Sequence, residues 1–292
     1  MIPISHLQAW TAQAPWPDLR QVEQDLVICR ALCDLFSSEQ LKGKIAFRGG
    51  TAIHKLLFKE PLRYSEDIDL VQTTPEPIGK TVDEIRAALA WLGKCKREQA
   101  PHSMHMVFKF TPEAGGGPLK LKVEINTREQ ENLHDLKTYP FDVSSDWHNA
   151  KAEIVSFEPE ELFGTKLRAL LQRNKNRDLF DLNEGLRQLG LDCNRVVACF
   201  QHYLGLEGRP ISRANAEERM LKKLNQSLTE DIAPLLSPGV GFTDEDAIAA
   251  FGKVWAELIT RIPGDPWKSS GTVIEAIRKT KIPTLLKGVY GR

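Results

Sequence analysis

Residues 47–72 read FRGGTAIHKLLFKEPLRYSEDIDLVQ, and the order of features in this stretch decides the fold. Alternate residues of a strand share a face, so a strand over Asp67–Gln72 places the carboxylates of Asp67 and Asp69 on one side and sends Ile68 into the core. Two ionised carboxylates this close repel each other, and a divalent cation removes that cost. Magnesium suits them, because it takes hard oxygen ligands and keeps positions open for water and substrate phosphates. Upstream, Gly49-Gly50-Thr51 interrupts a short strand over Lys44–Phe47 and opens a short helix, TAIHKLLF. Glycines let a backbone approach a ligand closely, and the N–H groups of a helix start point at an anion, so this turn is a candidate triphosphate cradle. Each feature also has a plain reading, a solvated strand end and an ordinary tight turn.

Further along, residues 104–111 and 119–126 form two strands joined by a turn around Gly115-Gly116-Gly117. In the second, Leu119, Leu121, Val123 and Ile125 alternate with Lys120, Lys122, Glu124 and Asn126, which gives one core face and one polar face. If this strand lies beside Asp67–Gln72, Glu124 completes a three-carboxylate site. Two metal ions held there would activate a hydroxyl and stabilise a leaving pyrophosphate. The competing reading is a solvated glutamate flanked by Lys120 and Lys122. Helices over Leu19–Phe36 and Thr81–Leu92 and a last strand over Lys151–Phe157 complete a mixed α/β half.

From Pro159 onward the pattern is helical. Segments fit Pro159–Gln172, Asp178–Leu189, Arg195–Leu204, Ala214–Leu228, Asp244–Ile262 and Thr272–Lys279, with a capping box from Thr243 to Asp246. The block LFGTKLRALLQRNKNRDLFDL, residues 162–182, buries Phe163, Leu167, Leu170 and Leu171. Its Lys166 can serve a triphosphate as a point charge. Asp178 and Asp181, three apart, share a helix face; they orient Lys166 or Arg177, bind metal or substrate, or belong to a salt-bridged helix surface. No internal repeat or low-complexity tract is visible.

Composition sets the remaining bounds. The 292 residues carry zero formal net charge, so any nucleic-acid surface is a local patch. Candidates are the Lys120/Lys122 face, the Arg168–Arg177 cluster and a C-terminal stretch with Lys268, Arg278, Lys279, Lys281, Lys287 and Arg292, which together would track an RNA backbone. The alternative for the last is a solvated basic tail. The five cysteines match no zinc spacing; Cys29 and Cys33 read as buried free thiols, and a reducing, cytoplasmic compartment is expected. The N-terminus is not a signal peptide, and no apolar run has the length to span a bilayer. The histidines form no ligand-spaced cluster.

Taken together, FRGGTAIHKL, RYSEDIDL, KVEIN, FGTKLRAL and RNKNRDLFDL resemble the AbiEii-type nucleotidyltransferase toxins, a branch of the DNA polymerase β-like superfamily. The likeness spans roughly residues 45–190 in order; residues 1–40 and 200–292 carry no matching motif. It implies an α+β fold: a polymerase β-like nucleotidyltransferase domain with a mixed sheet and an N-terminal helix over 1–157, then an all-helical domain over 158–292 that completes the active site and binds the acceptor. It implies magnesium or manganese, with Asp67, Asp69 and Glu124 as metal ligands. Gly49, Gly50, Thr51 and Ser65 would contact the nucleotide, and Arg63 would orient the strand or the phosphates. Lys166 matches the triphosphate-binding lysine. Asp181 fits the downstream aspartate, a role that Asp178 can also take. The pair here is Gly-Gly followed by Thr51, with a longer gap to the carboxylates than the superfamily's usual glycine-serine pair, so which residue touches the triphosphate stays open. The resemblance further implies transfer of nucleotides from a nucleoside triphosphate to the 3′ end of tRNA, a cognate antitoxin and a part in phage defence. The competing functions are nuclease or phosphatase chemistry, a small-molecule nucleotidyltransferase, and a catalytically inactive module that binds RNA or a partner.

Overall fold

The alternation in LKLKVEIN builds the middle of a seven-stranded mixed sheet. The computed structural model of the chain describes residues 2–279. It has two compact units: residues 1–158 with 237–239, and the remainder. In the first unit, α1 (Ile4–Trp10) and α2 (Leu19–Phe36) precede β1 (Ile45–Arg48), α3 (Gly49–Leu56) and β2 (Asp67–Gln72). Then come α4 (Gly79–Ala88), β3 (Cys95–Gln99), β4 (Ser103–Phe110), β5 (Leu119–Asn126), β6 (Lys137–Ser144) and β7 (Asn149–Ser156). The strand order is β3-β4-β5-β2-β1-β7-β6. β2 runs antiparallel to β1 and parallel to β5, so it lies inside the sheet with both edges paired.

One sheet face is core. Phe47, Ile68, Leu121 and Val123 are fully buried, and Phe36 of α2 packs on Phe47 with ring centroids 6.4 Å apart. The other face of β2 and β5 carries the half-buried Asp67, Asp69, Lys122 and Glu124. α2 is capped by Asp18, whose side chain accepts from the Arg20 N–H. Beside its apolar stripe it also buries Glu23, Gln24 and Asp25.

The elements that sequence periodicity did not predict are α1, β3 and β6. β3 (CKREQ) and β6 (KTYPFDVS) are the two sheet edges and are largely exposed, so they carry no apolar alternation. Pro140 sits in β6, where an edge strand tolerates a residue with no N–H to donate. The helix expected over Thr81–Leu92 stops at Ala88 and tightens into a 3-10 turn over Ala90–Leu92.

The second unit is helical: α5 (Pro159–Gln172), α6 (Arg177–Gln188), α7 (Cys193–Glu207), α8 (Arg213–Lys223), α9 (Asp244–Glu257) and α10 (Ser270–Lys279). The capping box of Thr243 and Asp246 is present at the start of α9. α8 and α9 are each shorter than expected, and α9 is followed by a 3-10 turn over Ile259–Arg261. Phe180 of α6 meets Phe242 edge to face at 5.1 Å. Glu161, buried in α5, is satisfied by the Tyr203 hydroxyl of α7 at 2.7 Å. Of the C-terminal basic residues, Lys268 is exposed; Lys281, Lys287, Arg292 and the side chains of Arg278 and Lys279 lie outside the described residues. Among the described residues no helix is long and apolar enough to cross a membrane.

α5 and α7 touch at Gly164, where a Cβ would stand 2.6 Å from Cys199 Cβ and 2.9 Å from the Val196 carbonyl. Helix propensity alone favours alanine at Gly164 by about 1 kcal/mol, but overpacking costs more. Gly164→Ala is expected to destabilise the protein by about 1–2 kcal/mol, read as a lower urea midpoint at unchanged slope.

Candidate active site

Two neighbouring strands, β2 and β5, carry the site's acids, with β1 beside them. The register pairs Arg48 of β1 with Asp69 of β2, and Asp69 with Glu124 of β5. One step back, Asp67 pairs with Lys122. Residues opposite each other in neighbouring strands project to the same face, so Asp67, Asp69, Lys122 and Glu124 share one side of the sheet. The next strand adds His105, opposite Glu124.

Glu124 is not bare. The Lys122 ammonium donates to its Oε2 at 2.7 Å, and His105 Nε2 lies 3.4 Å from the same oxygen. His105 Nε2 is also 2.9 Å from the Ser103 hydroxyl. Burial pushes the Glu124 carboxyl up, but Lys122, His105 and Ser103 outweigh it and hold the group below its ordinary value. For Lys122 burial alone would lower the pKa; Glu124 first, then Asp67 and Asp69, reverse that and raise it.

The glycine turn meets these acids directly. β1 ends at Arg48, and Gly49, at φ +84°, turns the chain into α3. A Cβ at Gly49 would fall 2.0 Å from Asp69 Oδ2, so only glycine lets the carboxylate lie against this backbone. No side chain caps α3, which suits its first N–H groups to an anionic ligand. Thr51 holds the two parts in place: its hydroxyl donates to the Asp67 carbonyl at 2.5 Å and lies 2.9 Å from the Ser65 hydroxyl. Arg63 is only 2% exposed and donates to the Tyr64 carbonyl at 3.0 Å, so it fixes the loop that leads into β2. Gly50 follows Gly49 within α3.

Some supporting residues have no motif to announce them. Arg48 pairs with Glu129, and the Asn126 side chain holds that glutamate's loop by accepting from the Arg128 and Glu129 N–H groups at 2.9 Å each. Asp25 of α2 accepts from the indole N–H groups of Trp10 and Trp16 at 3.1 and 3.2 Å and from the Lys55 ammonium at 2.6 Å, which ties α3 to α2. Burial alone would lower the Lys55 pKa, but Asp25 raises it above its ordinary value. Burial pushes the neighbouring Cys29 thiol up to about 12, so it stays protonated. Gln24 donates to the Lys120 carbonyl at 2.9 Å, and Glu23 accepts from the Glu113 and Ala114 N–H groups at 3.1 Å each.

In the helical unit, Lys166 is 5% exposed and lies between two fully buried acids, 3.1 Å from Asp178 and 2.8 Å from Asp181. Arg173 adds two hydrogen bonds of 2.8 Å to Asp178. This group is interior, where the sequence also allowed a surface ion pair. Burial pushes the Asp178 carboxyl up and Asp181 adds to that, but Lys166 and Arg173 outweigh both and keep it below 3.8, its ordinary value. Arg168 is nearly buried, pairs with Glu207 at 2.9 Å and stacks on Tyr203, so it is not part of a free basic surface.

The acids offer hard oxygen donors that fit a divalent cation. Asp67 and Asp69 stand side by side, and Glu124 is one strand away in register. Among the described residues no three His, Cys, Asp or Glu side chains are gathered closely enough to hold a metal ion, and Glu124 is the acid that Lys122 draws to itself.

Two outcomes are expected. Gly49→Ala combines a strained φ with a collision against Asp69; it should cost about 1–3 kcal/mol in thermal or urea unfolding, and it should weaken divalent-cation binding. Lys166→Met removes the ammonium between two fully buried acids and should destabilise the protein by about 3–5 kcal/mol. Asp178 has a depressed folded-state pKa, so its stabilisation is full above its ordinary value of 3.8 and disappears as the pH falls through the folded value. The acid limb of a stability–pH curve should therefore be shallower in Lys166→Met.

Comparison with known proteins places this arrangement. The structure resembles JHP933 from Helicobacter pylori, with a TM-score of 0.52 at 13% identity over 89% of this chain and 94% of that one. It is also similar to MenT4, a nucleotidyltransferase toxin from Mycobacterium tuberculosis, with a TM-score of 0.61 at 16% identity over 96% and 97% of the two chains. At these identities the likeness is one of fold. No curated protein matches the sequence. The family described as nucleotidyl transferase AbiEii toxin, type IV toxin–antitoxin system, matches residues 30–257, most of the chain. The protein belongs to the AbiEii nucleotidyltransferase toxin family.

Proposed function

We propose that this toxin is a magnesium- or manganese-dependent nucleotidyltransferase that adds nucleotides from a nucleoside triphosphate to the 3′ end of tRNA. The observation that carries the reading is the Asp69 carboxylate lying against the Gly49 backbone, with Asp67 beside it and Glu124 in register. Phosphate cradle and cation ligands then meet at one point of the sheet. Asp67 and Asp69 would hold the cation, joined by Glu124. Bound there, a divalent ion lowers the pKa of an acceptor hydroxyl and offsets the charge of departing pyrophosphate.

The chain's own residues supply positioning. The first N–H groups of α3, from Gly49, Gly50 and Thr51, direct donors at a triphosphate, and the Ser65 hydroxyl lies within reach of Thr51 to extend that set. Thr51 holds the start of β2 and so fixes where Asp67 stands. Arg63 keeps the approach loop rigid from inside. The motif FGTKLRAL assigns Lys166 to the triphosphate, with Asp178 and Asp181 setting the position of its ammonium. An RNA acceptor fits the lysines of β5, Lys120 and Lys122, through phosphate contacts rather than base edges. The five free cysteines suit a reducing cytoplasm. The family's toxin–antitoxin setting supports a cognate antitoxin, and a part in phage defence belongs to the same proposal.

The test is a transfer assay with each labelled triphosphate against total tRNA, with and without EDTA. A lengthened RNA that depends on divalent metal is expected. Asp67→Ala and Asp69→Ala should each lower transfer roughly a hundredfold or more while the melting temperature stays near wild type. A shortened RNA would assign cleavage instead, and label on a small hydroxylated acceptor alone would remove the tRNA assignment.

A further inference from the structure

The four in-register positions Asp67, Asp69, Lys122 and Glu124 hold three acids and one base. That base, Lys122, lies at 2.7 Å from Glu124 and is felt by Asp67 and Asp69 as well. Lys122 and Glu124 are about equally exposed, 35% and 33%, so the pair is neither buried for good nor free in solvent. His105 approaches the same Glu124 oxygen from the strand on the far side. A dication drawn to Asp67 and Asp69 meets a third carboxylate whose oxygen already carries an ammonium. A dication and an ammonium held on one carboxylate repel each other across a few ångströms, which favours one occupant over two. A lysine differs from a metal in one respect that matters here: its charge rides on four flexible methylenes, so it can leave without unfolding anything.

We propose that Lys122 is an exchangeable counter-ion, occupying the third carboxylate until a divalent cation takes its place and then turning its ammonium toward the phosphates of the incoming substrate. The inference rests on the metal-dependent reading above and adds to it a further role for a residue that the sequence offered as a flank of Glu124 and as part of a basic face. Metal loading and the appearance of a cation for the substrate become one event. The carboxylates gain one net positive charge in the exchange, since a dication arrives as a single ammonium is released toward an anion. Because the two lysine states differ only by side-chain rotation, the exchange needs no movement of β2 or β5.

The test is Mn2+ binding to the purified full-length protein, followed by the electron paramagnetic resonance signal of free Mn2+. Lys122→Met removes the competitor, and its Mn2+ affinity should rise about twofold to fivefold, the scale set by loss of a partly exposed ion pair. Lys122→Arg should bind as wild type does. The metal-free Lys122→Met protein should melt lower than wild type and gain more from Mn2+, since binding to the folded state adds stability in proportion to affinity. In a Glu124→Gln background the gain from Lys122→Met should shrink, because the pair is then already broken. Equal or weaker Mn2+ binding in Lys122→Met overturns the exchange, as does an undiminished gain in the Glu124→Gln background. Wild-type protein that binds no Mn2+, or binds it equally after Asp67→Ala, overturns the metal-dependent reading itself.

Discussion

The structure depends on one register. β2 is held between β1 and β5 so that Arg48, Asp69 and Glu124 stand in line across three strands. A slip of one residue in either ladder would turn Asp67 and Asp69 into the core and Ile68 outward, burying charge and exposing an apolar side chain at once. Both errors cost free energy, so the core face holds the acid face in place. The same register sets where β1 must stop. Its last residue lies opposite Asp69, and the chain can continue into a helix there only by turning sharply beside that carboxylate, which Gly49 allows. Phosphate cradle and acidic pair are therefore two results of a single pairing, not two features that happen to be close.

Around this register the first unit spends buried polar groups on rigidity. α2 presents Glu23, Gln24 and Asp25 to the interior, an expensive choice unless each finds partners. Glu23 takes two backbone N–H groups of the β4–β5 turn and Asp25 gathers two indoles and Lys55, while Gln24 donates to a β5 carbonyl and leaves its own amide oxygen without a partner among the described residues. These bonds hold the loop before β5, the start of β5 and the end of α3. They are the parts whose displacement would move Glu124 or the glycine turn. A site placed on strands and braced from behind by hydrogen-bonded polar groups is well suited to chemistry that works by positioning.

Much of this was legible from residue order. The acid-apolar-acid triplet, the glycine pair and the alternation of LKLKVEIN each report a local backbone geometry, and local geometry is what periodicity encodes. What could not be read was pairing. β3 and β6 owe their existence to a neighbour, and as edges they have no buried face to mark them. Arg48 and Glu129 are 81 positions apart and carry no pattern. Glu124 is instructive, because the sequence offered two readings, a ligand or a glutamate flanked by lysines. Register makes it a neighbour of Asp69, and side-chain placement makes it a partner of Lys122, so both descriptions hold at once. Lys166, Asp178 and Asp181 show the reverse error: helical spacing allowed a solvated surface, and only tertiary packing shows them to be interior.

The two charged groups of the molecule differ in a way that bears on their roles. In the helical unit two acids, Asp178 and Asp181, meet two bases, Lys166 and Arg173, and each acid is fully buried. Charge is balanced where water is excluded, as stability requires. On the sheet, Asp67, Asp69 and Glu124 share a half-buried face with Lys122, and Arg48 and His105 stand opposite Asp69 and Glu124 in register. A fold selected only for stability has no reason to line up acids this way, since like charges in neighbouring strand positions oppose pairing. These acids are also open to solvent, which leaves them accessible to a cation of the kind the proposed function calls for. The helical cluster fixes its lysine in one place, and the sheet face leaves its acids open to solvent.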